Sequence, residues 1–191
     1  LRREIARKLI HIASVAVPLL VWFAPRALAM AVLLGAAIVA LGVEVLRRRH
    51  RGARYLFLRH TRTMLRTRER RTLTGATWMA IAYAGAVVLF PTPVAVAAML
   101  YNGLGDATAA LVGKRWGRRR TRSGKSWEGA GAMAVVGFAA GAAIPGLALA
   151  AAALGAIGAA LLELADLPPD DNLWVTLGGG AVLAAAAALF A

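Results

Sequence analysis

Charge is missing from long stretches of this chain, and their lengths constrain the fold more than any motif does. Seventeen uncharged residues separate Lys8 from Arg26, and another seventeen separate Arg26 from Glu44. Two stretches of 34, from Thr72 to Gly105 and from Gly129 to Leu162, are also uncharged, as are the last 20 residues from Asn172. A membrane-spanning helix needs about 20 apolar residues. A 34-residue helix would run about 50 Å, well past a hydrocarbon core of about 30 Å. Each long stretch carries proline near its middle, Pro91 and Pro93 in one and Pro145 in the other. Proline breaks a helix and biases its predecessor away from α, so each stretch reads as a helical hairpin. The expectation is an all-α, polytopic membrane helix bundle of about seven transmembrane helices, near 8–24, 27–46, 74–90, 93–113, 129–144, 147–165 and 173–190. The first stretch has the basic start of a signal peptide. No small-residue cleavage site precedes Pro25, however, and the next stretch follows at once, so a retained span is expected.

Composition alone points two ways. The net charge of +14 suggests a nucleic-acid binder, whereas 60% hydrophobic content does not suit a basic soluble domain. Position resolves the conflict. Of 23 Lys and Arg residues, 22 fall in the N-terminal segment, in 47–71 or in 114–125, leaving only Arg26 elsewhere. A seven-span arrangement puts those three segments on one side, and the positive-inside rule makes that side cytoplasmic, with the N-terminus. The chain then belongs in the cell (cytoplasmic) membrane, and its basic excess needs no nucleic acid. The absence of cysteine excludes disulfide scaffolds and thiolate metal sites. Segment 47–71 interleaves Tyr55, Leu56, Phe57, Leu58, Met64 and Leu65 with eleven arginines. It reads either as a solvated cytoplasmic loop or as an interfacial helix with arginines on anionic lipid phosphates.

The nine acids all lie on or near the expected cytoplasmic side, and Glu44, Asp106, Glu163 and Asp166 lie in or at the ends of apolar spans. An ionisable group inside a span is costly and is a functional candidate by default. Asp106 lies seven residues before Gly113, about 10 Å inside the expected helix end. Asn102 precedes it by one turn, and Gly105, Ala109 and Gly113 repeat at every fourth position, a pattern that admits a neighbouring backbone. The alternative is a polar pair that only joins helices.

A basic loop follows, with Lys114, Gly117, Lys125 and Ser126 ahead of Glu128 and Gly129. Its Gly-Lys-Ser is not a P-loop, because Arg119 stands where the first glycine is required and no strand precedes it. What remains is a basic loop, 114–128, leading into a helix N-terminus with Ser126 as candidate cap, an arrangement that binds phosphate oxygens. Glu128 would repel a bare phosphate there, but is compatible with an intervening Mg²⁺. The turn at Asp170, Asp171 and Asn172 reads either as a hard-cation site or as a cap of the last helix. Arg7, Lys8 and His11 form a cationic cluster at the start of the first span.

In order, these residues resemble the CTP-dependent lipid kinase family, which includes dolichol kinase, phytol kinase and the yeast-type diacylglycerol kinase and is related to the phosphatidate cytidylyltransferases. The resemblance runs through Arg7, Lys8 and His11, then Leu73 to Thr77, Gly105 and Asp106, Gly113 and Gly117. It continues through Lys125, Ser126, Glu128 and Gly129 to Glu163 and Asp170 to Leu173, nearly the whole chain. This sequence departs from the pattern at Trp127, where leucine is common, and in its arginine-rich 118–122 stretch. The resemblance implies that residues 1–191 are one integral-membrane lipid kinase domain moving a phosphoryl group from CTP to a lipid hydroxyl with Mg²⁺. Asp106, Glu128, Asp170 and Asp171 would hold the metal. Asp106 or Glu163 would orient or deprotonate the hydroxyl, with Lys125 and Glu128 also catalytic. Phosphates and nucleotide would be held by Arg7, Lys8, His11, Asn102, Gly105, Gly113, Lys114, Gly117, Ser126, Gly129 and Asn172.

Two other readings stand beside it. One is a CDP-lipid synthase, which shares the Gly-Asp and Lys-Ser-x-Glu-Gly pieces but, by resemblance, ends in an Asp-Arg-x-Asp signature that is absent here. The other is a non-enzymatic transporter or assembly protein whose acids form an ion path, although here they gather at one face and no inverted repeat is evident. The lipid could be a polyprenol, a phytol-like alcohol or diacylglycerol. Gly178, Gly179 and Gly180 would allow close helix packing, including that of a homodimer.

Overall fold

Capping chemistry explains where most helices begin. The computed structural model describes residues 13–61, 65, 69 and 72–190, and these are built as eight helices with no strand among them. They are α1 (Ala16–Phe23), α2 (Arg26–Arg49), α3 (Arg51–Thr61), α4 (Gly75–Leu89), α5 (Thr92–Trp116), α6 (Trp127–Ala142), α7 (Leu149–Ala165) and α8 (Asp171–Leu189). Thr74, Ser126 and Asp170 cap α4, α6 and α8, each side chain accepting a backbone N–H of the first turn. Prolines 25 and 91 stand immediately before α2 and α5, and Pro145 sits in the α6–α7 turn. Both 34-residue stretches are therefore hairpins, broken where the prolines fall.

Six of the seven expected spans coincide with helices to within a few residues, the first is described as a helix only over Ala16–Phe23, and one correction concerns the site. Helix α5 continues to Trp116, beyond the expected end at 113, so Asp106 lies deeper along its helix than the sequence implied. Segment 47–71 is helical over Arg51–Thr61. Helices α2, α5 and α8 are long and apolar enough to cross a membrane, whereas α4 and α7 are apolar but shorter. Much of α2 faces outward, with Leu28, Val32, Ile38, Val39 and Val45 exposed, as suits a helix clothed in lipid rather than water.

Helix α5 runs through the core. Every residue from Val94 to Met99 is buried, and α1, α4, α6 and α8 pack around it. The core is built largely from alanine and glycine, so backbones approach closely. Gly178, Gly179 and Gly180 face Leu162, Ala159 and Phe90 at distances where a Cβ would collide. That small-residue stripe is thus used inside the chain.

Two helical stretches are wound more loosely than α: Tyr101–Asp106 within α5 and Trp174–Gly178 within α8 are π-helical, and they pack against one another. The bundle has two distinct ends. At one, Arg26 donates to the carbonyls of Phe90 (2.9 Å) and Val88 (3.4 Å), satisfying the C-terminus of α4 and accounting for the one cation outside the basic segments. At the other, the C-termini of α2, α5 and α7 meet the N-termini of α4, α6 and α8.

Candidate active site

The C-terminus of α5 and the N-terminus of α6 can lie together only because the residues between them are small. A Cβ on Gly113 would lie 2.6 Å from Ser126 Oγ, and one on Gly129 would lie 2.5 Å from the Ala109 carbonyl oxygen. The four-residue spacing of Gly105, Ala109 and Gly113 is thus the contact face of α5, with Gly105 against Met133. Between the helices, residues 117–126 fold back as a short hairpin. Trp127 N–H donates to the Arg119 carbonyl, Thr121 N–H donates to the Lys125 carbonyl, and Gly124 turns the chain at φ +89°. Arg120 braces this hairpin, its guanidinium donating at 2.8 Å to the carbonyls of Gly113 and Gly124.

Under the hairpin lies a cleft of ≈ 320 Å³. Asp106, Gly113, Lys114, Lys125, Ser126 and Gly129 line it, together with Glu163, Asp171 and Arg120. At its centre Lys125 Nζ lies 2.9 Å from Glu163 Oε1, 3.0 Å from Asp171 Oδ2 and 3.6 Å from Asp166 Oδ1. Burial disfavours the charged form, but Asp171 and Glu163 outweigh it and hold the ammonium above the usual lysine value. Lys125 is therefore a fixed cation and not a proton acceptor at neutral pH. Asp166 stands in the left-handed region at φ 50°, the C-terminal stop of α7, which aspartate tolerates better than most residues. Asp106 closes the set from the end of the π-helical stretch of α5, a kind of irregularity frequent at functional sites.

The cleft does not gather every residue singled out from sequence. In the acid turn the two carboxylates divide. Asp170 is the buried N-cap, its Oδ1 accepting from Asn172 N–H (3.2 Å) and Asn172 Nδ2 (2.7 Å), while Asp171 turns into the cleft. Asn172 Nδ2 also donates to the Gly75 carbonyl at 3.3 Å, so that turn is fastened to α4. Glu128 is half-buried and stands outside the cleft lining, both its oxygens accepting from Arg119 N–H at 3.2 and 3.4 Å. Its own N–H and that of Arg119 hold its carboxyl below the usual range. Gly117 ends α5 behind Ser126, where its Cβ would meet the Gly113 carbonyl. Asn102 and Gly105 lie deeper in the bundle, and both polar atoms of the Asn102 side chain are buried without a hydrogen-bond partner, as is Thr176 Oγ1. Arg7, Lys8 and His11 lie outside the described residues.

Glu44, one of the four acids that the sequence places in or at the end of an apolar span, lies outside the cleft lining, in a second polar cluster at this end. Glu44 is 2% exposed. Its Oε1 accepts from Thr74 N–H (3.0 Å) and Thr77 Oγ1 (3.2 Å), and its Oε2 accepts from Arg47 Nε (2.7 Å). Glu69, buried within the arginine-rich segment, accepts Gly75 N–H on Oε1 at 3.1 Å.

Among the described residues no three His, Asp or Glu side chains converge as a metal cage. Asp106 and Asp171 do offer oxygen donors from two helices to one cleft that also holds a helix N-terminus. That donor set suits Mg²⁺, which commonly takes one or two carboxylates and completes its shell with water and substrate phosphates. No protein-family model, no curated protein and no solved structure matches this chain.

Proposed function

We propose that the protein is a CTP-dependent lipid kinase of the cytoplasmic membrane, phosphorylating the hydroxyl of a polyprenol, phytol-like alcohol or diacylglycerol. The observation that carries this reading is Lys125, held between Glu163 and Asp171 in a cleft that Asp106 and the N-terminus of α6 also line. Phosphoryl transfer needs little covalent chemistry from a protein. It needs the phosphates held in line with the attacking oxygen and their charge offset. Lys114, Lys125 and the α6 N-terminus would hold the triphosphate, with Arg7, Lys8 and His11 completing the clamp. Asp106 and Asp171 would hold Mg²⁺, which offsets charge on the phosphate oxygens. Asp106 or Glu163 would take the proton of the lipid hydroxyl as its oxygen bonds to the γ-phosphorus. The bond from that phosphorus to the bridging oxygen breaks, and CDP leaves.

The proposed topology has seven spans with a cytoplasmic N-terminus. In its favour, 114–125 and the start of 47–71 lie at the same end of the bundle as the cleft, while Arg26 sits at the other. The site would then meet cytoplasmic CTP on one side and lipid hydroxyls arriving along the interface on the other.

Purified protein with Mg²⁺ and γ-labelled CTP tests the reaction. Label is expected in a lipid phosphate, and Asp106→Asn should abolish it. Label found only in pyrophosphate would replace the kinase reading with that of a CDP-lipid synthase. A panel of undecaprenol, phytol and diacylglycerol, each with CTP and with ATP, identifies acceptor and donor.

A further inference from the structure

Helix α3 is an anomaly of packing. None of its eleven residues is buried, and an isolated helix of that length is marginal in water. Its outward side carries Arg51, Tyr55, Leu56 and Arg59, with Tyr55 65% and Leu56 55% exposed. None of Arg51, Arg54 and Arg59 is paired with an acid among the described residues. The helix follows directly on α2, whose outward Val45 and Leu46 continue the apolar surface to within a few residues of it.

The inner side of α3 leads to the cleft through a short chain of contacts. The Arg47 guanidinium lies over the Phe57 ring, 4.9 Å from its centroid. The same guanidinium donates to the carbonyls of Glu69 (3.0 Å) and Thr72 (2.6 Å). Glu69 holds Gly75 N–H, and the Gly75 carbonyl holds Asn172, one residue from the Asp171 that pairs with Lys125.

We propose that α3 is a seat for anionic lipid headgroups, and that its occupation steadies the acid turn through Phe57, Arg47, Glu69 and Gly75. Unpaired guanidiniums match phosphate oxygens in charge and in hydrogen-bonding geometry. The tyrosine and leucine between them suit the interfacial zone and would gain nothing from a soluble polyanion. The proposal rests on the membrane-embedded reading above, and not on which reaction the cleft performs.

The chain has no cysteine, so Leu56→Cys can carry a single environment-sensitive label in protein reconstituted into lipid nanodiscs. In discs of phosphatidylcholine with phosphatidylglycerol, the label should shift to the blue and be quenched by headgroup-linked spin labels. In phosphatidylcholine alone it should stay accessible to aqueous iodide. Arg51→Gln and Arg59→Gln should each lower the docked-to-undocked ratio about fivefold. Equal spectra in the two discs, or a shift produced only by added nucleic acid or soluble protein, would overturn the seat. Hydrogen exchange reads the coupling: the Gly75 amide should be better protected in anionic discs, and Phe57→Leu should remove that gain while the label still docks. Unchanged protection would overturn the coupling. Neither readout needs turnover, so a failed kinase assay leaves both standing, whereas failure to enter discs would overturn the membrane reading itself.

Discussion

Two clusters of buried carboxylates and cations sit at the same end of this bundle, and they are built on opposite plans. Around Glu44 every contact is spent inside the protein: one oxygen takes a backbone N–H and a hydroxyl, and the other takes Arg47. Around Lys125 a single ammonium serves Glu163, Asp171 and Asp166, and a cleft of ≈ 320 Å³ opens beside them. A closed pair compensates its own desolvation and joins helices. An open cluster in which, among the described residues, one ammonium is shared by three carboxylates beside a cleft suits a ligand that brings its own cation and phosphates. Burial alone would not have separated the two, since Glu44 and Glu163 are both buried.

The comparison breaks first if Lys125 proves dispensable. Lys125→Met removes the cation at the centre of the open cluster. Phosphoryl transfer should fall by about 10²–10³-fold, the scale seen when one preorganised group that stabilises transition-state charge is lost. The measurement is turnover per folded protein with γ-labelled CTP. The raised lysine pKa sets the sign of its pH dependence. The contribution of the charged form to stability is complete below the ordinary value of 10.5 and is lost as pH rises through the higher folded value. The difference in thermal stability between wild type and Lys125→Met should therefore stay flat through neutral pH and close only in strong alkali.

Glu44→Gln makes the reciprocal cut. It leaves Arg47 buried without its counter-charge, and breaking such a pair costs about 3 kcal/mol or more. Thermal unfolding in detergent should shift down accordingly, while turnover of the folded fraction changes little. If instead turnover is lost and stability kept, the two clusters have been assigned the wrong way round.

Much of this arrangement was legible because charge gaps and prolines report where a chain can run through hydrocarbon and where it must turn. The caps at Ser126 and Asp170 were legible from local chemistry as well, whereas the Thr74 cap of α4 was not singled out. What stayed hidden depends on tertiary contact. Asp170 and Asp171 are adjacent, yet successive residues at a helix start point about 100° apart, so only the packed helix decides which one faces the cleft. The π-helical turns at 101–106 and 174–178 carry no compositional mark and exist where the two helices press together. Glu69 sits within a run of arginines and reads as surface until the fold sets it against Gly75. Arg26 looked like an exception to the positive-inside pattern until its carbonyl partners were seen.

Glu128 offers the finest test, because sequence pattern and geometry pull it in different directions. By resemblance it belongs with the metal-holding acids, while in the fold it stands outside the cleft and accepts from Arg119 N–H. If its work is to pin the hairpin, Glu128→Gln should keep most of that contact through the amide oxygen. Turnover should then drop only a few-fold, through a higher KM for CTP and not through kcat. The lowered carboxyl pKa adds a second check. Its stabilising effect is present above the ordinary value of 4.5 and fades as pH falls through the lower folded value. Wild type and Glu128→Gln should therefore differ in thermal stability above that value and converge in more acid solution. A kcat loss as deep as that of Asp106→Asn would mean that Glu128 swings from the hairpin into the cleft when nucleotide and metal arrive. The boundary between the open cluster and its surroundings would then have to be drawn around the hairpin as well.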